Sequence, residues 1–238
     1  MSVAGAIRAL GGVQSAVRLV RRTMKQRKRA GWSSDLEVVL RVLVQHEKLA
    51  PIRRRPTKDD GLSAAEGVVV WWVEKYLKAR EASTRPRLLI LSKSYMDPAV
   101  EVIIRSGVSG ASKNASSRQR WYKQVKGGQN LVGHLLEEFV ASELKEWQCA
   151  WGATIRGVDF CRISSAEQSE LLQVKNSQVT ENSSSQDSRV RKGVRLWYRF
   201  NSSNGCTRWR ELLLEAKHAE RALEERFHKF IEKRMSTS

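Results

Sequence analysis

The chain has 238 residues, 41% of them hydrophobic and eight of them tryptophan, so it can bury a substantial core and is not a disordered polymer. Its 43 Lys and Arg against 25 Asp and Glu leave a formal charge of +18. That excess makes nucleic acid the leading class of partner, ahead of an anionic membrane surface or a structural role of the ribosomal kind. The three cysteines (Cys149, Cys161, Cys206) lack CxxC spacing and the four histidines are scattered, which excludes a zinc ligand set. They predict reduced thiols in an intracellular, cytoplasmic protein. No apolar run approaches the ~18–20 residues that cross a bilayer, and nothing resembles a secretory signal.

Residues 1–34 contain no Asp or Glu, many Arg and Lys, and apolar residues at helical spacing. Two readings fit: a mitochondrial presequence, or a basic helix of the mature protein that faces DNA, which we prefer. After the cap cluster Ser33-Ser34-Asp35, the spacing of Leu36, Val39, Leu40, Leu43 and Val44 predicts a helix over 35–49. A basic loop follows at 51–61. Ser63 and Glu66 stand at capping-box spacing and predict a helix over 63–80, although Val68–Val73 also fits a buried strand. Residues 87–92 form a short apolar run, and 97–107 read as a helix ended by Gly107. Residues 106–128 make either a linker or a DNA-contacting loop. An amphipathic helix is predicted over 129–147, with Leu131, Leu135, Leu136, Phe139, Val140 and Leu144 inward. Strands are predicted at 153–163, 170–177 and 194–200, and a closing helix at 207–234. This order predicts an α/β or α+β fold with a central mixed sheet.

The first two strands place chemistry. Asp159 and Gln173 are equidistant from position 166, inside the polar turn "SSAEQS", so a symmetric hairpin sets them opposite each other, with Cβ atoms about 5 Å apart. Alternation then puts Lys175 on the same face as Gln173, with Leu172 and Val174 on the other. The preceding helix offers Glu137, with Glu138 beside it. A hard divalent cation takes oxygen ligands, available from Asp159, the Gln173 amide, the Val174 carbonyl and Glu137. A lysine beside it can orient water and stabilise charge building on phosphorus. Each residue alone has a plainer reading: a strand-end hydrogen bonder, a lysine reaching solvent, a surface acid. It is their order and placement that point to phosphodiester hydrolysis.

The run "GHLLEEF…GVDF…LLQVKNS" resembles the PD-(D/E)xK nuclease superfamily, and "QVKNSQVTENSSSQDSRVRKGVRLWYRF" is similar to restriction endonucleases of the SinI type. The resemblance covers mainly residues 129–210. It implies an α/β fold with a restriction-endonuclease-like core: a central mixed β-sheet flanked by helices, with a helical N-terminal region. The domains would be 1–105, for DNA grip or dimerisation, and 106–238, carrying the catalytic core, a DNA-recognition loop and the C-terminal helix. It implies Mg2+ as cofactor, double-stranded DNA as substrate, GGWCC as site and a homodimer as the working form. Catalysis would fall to Asp159, Gln173, Lys175 and Glu137.

Gln173 departs from the family's acid-x-Lys pattern, and a neutral amide holds a divalent cation more weakly than a carboxylate. Glu170 should face away on a regular strand and cannot replace it. The polar run beyond Lys175 reads either as a surface loop or as a DNA-contacting segment. Amides suit adenine edges, Arg suits guanine, and Ser suits bases or phosphates. On the second reading Asn176, Glu181, Asn182, Ser183, Ser184, Ser185, Arg189, Arg191, Arg195 and Arg199 are the expected contacts. Two rival functions stay open: a structure-specific repair or recombination nuclease, and a non-catalytic basic DNA-binding protein with a degenerate nuclease core.

Overall fold

The computed structural model describes residues 1–26, 34–52, 61–83, 131–152, 154–164, 166–177, 192–201, 203–212 and 220–236. The N-terminal part is helical: α1 (Val3–Ala9), α2 (Val13–Gln26), α3 (Ser34–Gln45), a 3-10 turn (Glu47–Leu49) and α4 (Ala64–Ser83). Helix α5 spans 131–143. Strands β1 (Gln148–Cys149), β2 (Phe160–Ile163), β3 (Ser169–Ser177) and β4 (Val194–Phe200) follow, then α6 (Trp209–Leu212) and α7 (Glu220–Ser236). The strands form one sheet in the order β1-β2-β3-β4. The first two pairings are antiparallel and β3–β4 is parallel, so the sheet is mixed, flanked by helices as expected.

The apolar residues of α3 close one face of that helix: Leu36, Leu40 and Leu43 are fully buried, each worth about 1.5–3 kcal/mol of burial. The Val68–Val73 run is helix, not strand. Ser63 Oγ accepts from Glu66 N at 3.3 Å while Glu66 Oε2 accepts from Ser63 N at 2.8 Å, so the reciprocal cap fixes the start of α4. Residues 1–26 are part of this fold: Val3, Ala4, Ala6 and Ile7 of α1 and Ala16, Val17, Leu19, Val20 and Met24 of α2 lie in the core.

Two apolar cores sandwich the sheet. One joins α1–α4 to Cys161, Leu171 and Val194. The other joins α5, α6 and α7 to Phe160, Leu172, Val174 and Trp197. Alternation along β3 sends Leu171 one way and Leu172 the other. The expected boundary at 105/106, the apolar run 87–92, the helix 97–107 and the segment 106–128 all lie outside the described residues.

Among the elements that differ from the sequence-based boundaries, the helix expected over 35–49 ends at Gln45 and gives way to the 3-10 turn. The helix expected to 147 ends at 143, because Gln148 and Cys149 pair with Cys161 and Phe160 at the sheet edge. The strand expected from 153 begins at Phe160, since residues before it turn: Val158 N donates to Ile155 O, and Gly157 has φ 67°. The closing helix is not helical from 207: Thr207 forms an antiparallel bridge with Phe200 before α6 begins.

Candidate active site

The β2–β3 hairpin has the symmetric register read from its sequence. Phe160 pairs with Leu172 and Ile163 with Ser169, all centred on position 166. Ser164 N donates to Gln168 O at 2.8 Å across the turn, and α3 braces it: Gln45 Nε2 donates to Glu167 O at 3.1 Å, and His46 Nε2 shares a 2.6 Å hydrogen bond with Ser169 Oγ.

Asp159 stands one residue beyond the last ladder pair. Its N–H goes to Leu172 O at 2.9 Å, so the ladder ends there. β3 runs on to Ser177 beside β4 alone, which leaves the Val174 N–H on the β2 side to be satisfied. The Asp159 carboxylate accepts it at 2.7 Å. The acid is thus fixed at the peptide joining Gln173 to Val174. Burial pushes its pKa up to about 6, against the opposing pull of the Val174 N–H and the Lys175 charge.

Gln173 is only 6% exposed, and among the described residues its Oε1 is buried with no hydrogen-bond partner. Burying an amide oxygen in this way costs about 1–3 kcal/mol unless water, an ion or another group meets it. Alternation puts Gln173 and Lys175 on the side of Leu171. Glu170 lies on the other side, where Arg162 Nη2 donates to it at 3.0 Å. Glu137 comes from α5. Its charge and that of Asp159 both help to raise the pKa of the buried Cys149 thiol, after burial itself, while α5 packs on the side of Leu172 and Val174, opposite to Gln173 and Lys175. Glu138 is a different case: its side chain is 8% exposed and Arg234 Nη2 donates to it at 2.8 Å, so it is a buried structural anion.

The donor set fits a hard cation in part. The Asp159 carboxylate accepts from Val174 N–H, and the neighbouring Gln173 carries a buried amide oxygen that has no partner among the described residues, so two oxygen donors and the Val174 carbonyl belong to one stretch of chain. Among the described residues no three His, Cys, Asp or Glu side chains cluster as a metal-holding group.

Two expected DNA contacts are committed elsewhere. Arg199 is 9% exposed, its Nε donates to Asn176 Oδ1 at 2.9 Å, and its Nη1 pairs with Glu224. Glu224 also accepts from Trp209 Nε1 at 2.7 Å and lies 3.0 Å from His228 Nε2. Asn176 and Arg199 therefore tie β3 and β4 to α7. Arg195 is exposed and donates to the Glu211 carbonyl. Glu181, Asn182, Ser183, Ser184, Ser185, Arg189 and Arg191 lie outside the described residues.

Two supports near Asp159 leave no signal in the sequence. Tyr76 Oη donates to the Cys149 carbonyl at 3.1 Å, and Gly152 (φ +75°) lies so close to α4 that an added Cβ would stand 2.5 Å from Ala79 Cβ. Both pin the β1–β2 connection to α4. They depend on contacts about 73 residues apart in sequence, which no local period encodes.

A family model described as SinI restriction endonuclease matches residues 16–237. The chain belongs to that family. Its α/β architecture is accordingly restriction-endonuclease-like. Type II restriction enzyme Eco47I of Escherichia coli is 27% identical over 140 residues, covering 58% of this chain and 61% of that protein. Type II restriction enzyme SinI of Salmonella infantis is 31% identical over 119 residues, covering 48% of this chain and 50% of that protein. The chain thus spans between half and two thirds of the length of these two relatives.

Proposed function

We propose that the protein is a type II restriction endonuclease that hydrolyses phosphodiester bonds of double-stranded DNA at a short palindrome, GGWCC, with Mg2+ as cofactor and as a homodimer. The observation that carries this reading is the buried Gln173 Oε1, without a partner among the described residues, on the strand that also presents Val174 N–H to Asp159 and then bears Lys175. Asp159, Gln173, the Val174 carbonyl and Glu137 are the groups to hold the cation, which supplies charge at the phosphoryl oxygen and acidifies water. Lys175 orients the attacking water and stabilises the developing charge on phosphorus. Arg cannot take that place as well, because it stays charged through any proton transfer. The segment 178–191, with Arg195, is the part to read bases and phosphates, since it leaves β3 two residues after Lys175.

The test is digestion of intact plasmid DNA with Mg2+, followed by mapping of the ends. A fixed ladder with ends at one palindrome supports the reading. Nicking confined to branched DNA would instead make it a structure-specific nuclease. Gln173 favours one further reading, a DNA-binding protein with a degenerate core, which predicts salt-sensitive duplex binding and no cleavage.

A further inference from the structure

Helix α2 has a charged face unlike that of any other described helix of its length or longer. Arg18, Arg21, Arg22 and Lys25 are all exposed and recur at steps of three, one and three, which places them along one stripe. The opposite face, Ala16, Val17, Leu19, Val20, Thr23 and Met24, is buried against the N-terminal core. Helices α3, α4, α5 and α7 each carry acids, and α7 pairs acid with base within itself, as Arg221 does with Glu225. α2 has no acid at all. Glu66 of α4 caps Ser63 N through Oε2 and sets its Oε1 3.5 Å from Arg22, which supplies one negative charge against the four positive ones of the stripe.

Like charges at Arg18/Arg22 and Arg21/Lys25 are four residues apart, and each such pair weakens the helix that carries it. A polyanion laid along the stripe reverses the sign of that effect. Arg18 to Lys25 spans about 10 Å of helix axis, the rise of roughly three successive phosphates on one strand of a duplex. α2 also sits on the element that supports the site: Arg22 meets the first turn of α4, and Tyr76, ten residues further along α4, holds the Cys149 carbonyl beside β2. Ten residues of helix are about 15 Å, within the reach of one bound duplex.

We infer that the Arg18/Arg21/Arg22/Lys25 face of α2 is a second, sequence-independent DNA contact that grips the phosphate backbone outside the recognition segment. The inference rests on the proposed action on duplex DNA. A fluorescently labelled duplex, bound in the presence of a chelator, is titrated at several salt concentrations. The combined variant Arg18→Gln, Arg21→Gln, Arg22→Gln, Lys25→Gln should flatten the slope of log affinity against log salt by about two to four, at roughly 0.9 for each phosphate no longer neutralised. The turnover number at saturating DNA stays unchanged while KM rises. Lys229→Gln on the mixed-charge α7 leaves the slope as it is. Should the fourfold variant fail to fold by circular dichroism, the pair Arg18→Gln, Lys25→Gln is read instead, with a slope change of about one to two. An unchanged slope in a folded variant overturns the inference, while wild-type cleavage still stands as support for the proposed function. A loss confined to flotation with phosphatidylserine vesicles overturns it in favour of a membrane surface. A wild-type protein that neither binds nor cuts the duplex overturns both.

Discussion

Two buried polar clusters on opposite sides of β3 differ in how they are satisfied. On the side of α7, Asn176, Arg199, Glu224 and Trp209 form a closed set in which each side chain meets another. On the other side, Gln173 Oε1 is buried without a partner among the described residues. At the end of the β2–β3 ladder, burial lifts the Asp159 carboxyl to about 6. A satisfied network stabilises and fixes geometry, whereas unsatisfied groups cost stability until a ligand arrives. One strand therefore carries a closed polar network on one side and a buried amide oxygen without a partner among the described residues on the other, with Lys175 and Asn176 as successive residues facing opposite ways.

The sharpest way to break this contrast is Lys175→Ala. Cleavage should fall by about 10²–10³-fold or more, in keeping with loss of a group that stabilises transition-state charge, while gel-shift binding of duplex DNA remains measurable. Full activity would move the chemistry elsewhere. Glu224→Ala probes the opposite side. It leaves Arg199 buried without its counter-ion and should cost about 3 kcal/mol in urea unfolding, with cleavage per folded molecule unchanged. A variant as stable as the parent would show that the network carries no weight.

Asp159→Asn should do the reverse, abolishing cleavage while raising stability. The amide oxygen can still accept from Val174 N–H, so the hydrogen bond survives. In the wild type the folded-state pKa of about 6 lies above the unfolded value of about 3.9. Between these values the folded protein holds a proton that the unfolded chain has released, so stability falls as pH rises through the window. Without divalent cation, the variant's advantage should be on the order of 2 kcal/mol at pH 8 and should vanish below about pH 4. Equal unfolding curves at pH 8 would show that the carboxylate is not under strain. Gln173→Leu gives the smallest expected change: about 1 kcal/mol of added stability from removal of an amide oxygen that has no partner among the described residues, together with weaker cation binding by calorimetry. Destabilisation by that variant would mean that Gln173 has a partner in the native protein.

Much of this site was legible because hairpin register follows from local rules. A polar turn centred on position 166 dictates that Phe160 meets Leu172, and period-two alternation then assigns Gln173 and Lys175 to one side. The departure of Asp159 from the ladder was not legible. It arises where β2 ends and β3 continues along β4, a partner that joins it across a segment of sixteen intervening positions. The helix boundary at 143 was likewise lost to the two-residue edge strand β1, whose pairing with β2 outweighs the helical pattern continuing to Trp147.

Arg199 marks the limit of reading charge from sequence. As an arginine beside aromatic residues on a strand, it had the appearance of a phosphate contact, and only packing shows that Asn176 and Glu224 enclose it. The basic character, the helix-rich start, the hairpin register and the residues available for chemistry were all written in the chain, because composition, periodicity and turn symmetry are local properties. Which polar groups are satisfied and which are not was settled by the folded arrangement alone. That distinction depends on groups brought together from 15 to 73 positions apart, and burial changes the energy of a carboxyl or an amide only after the chain has closed around it.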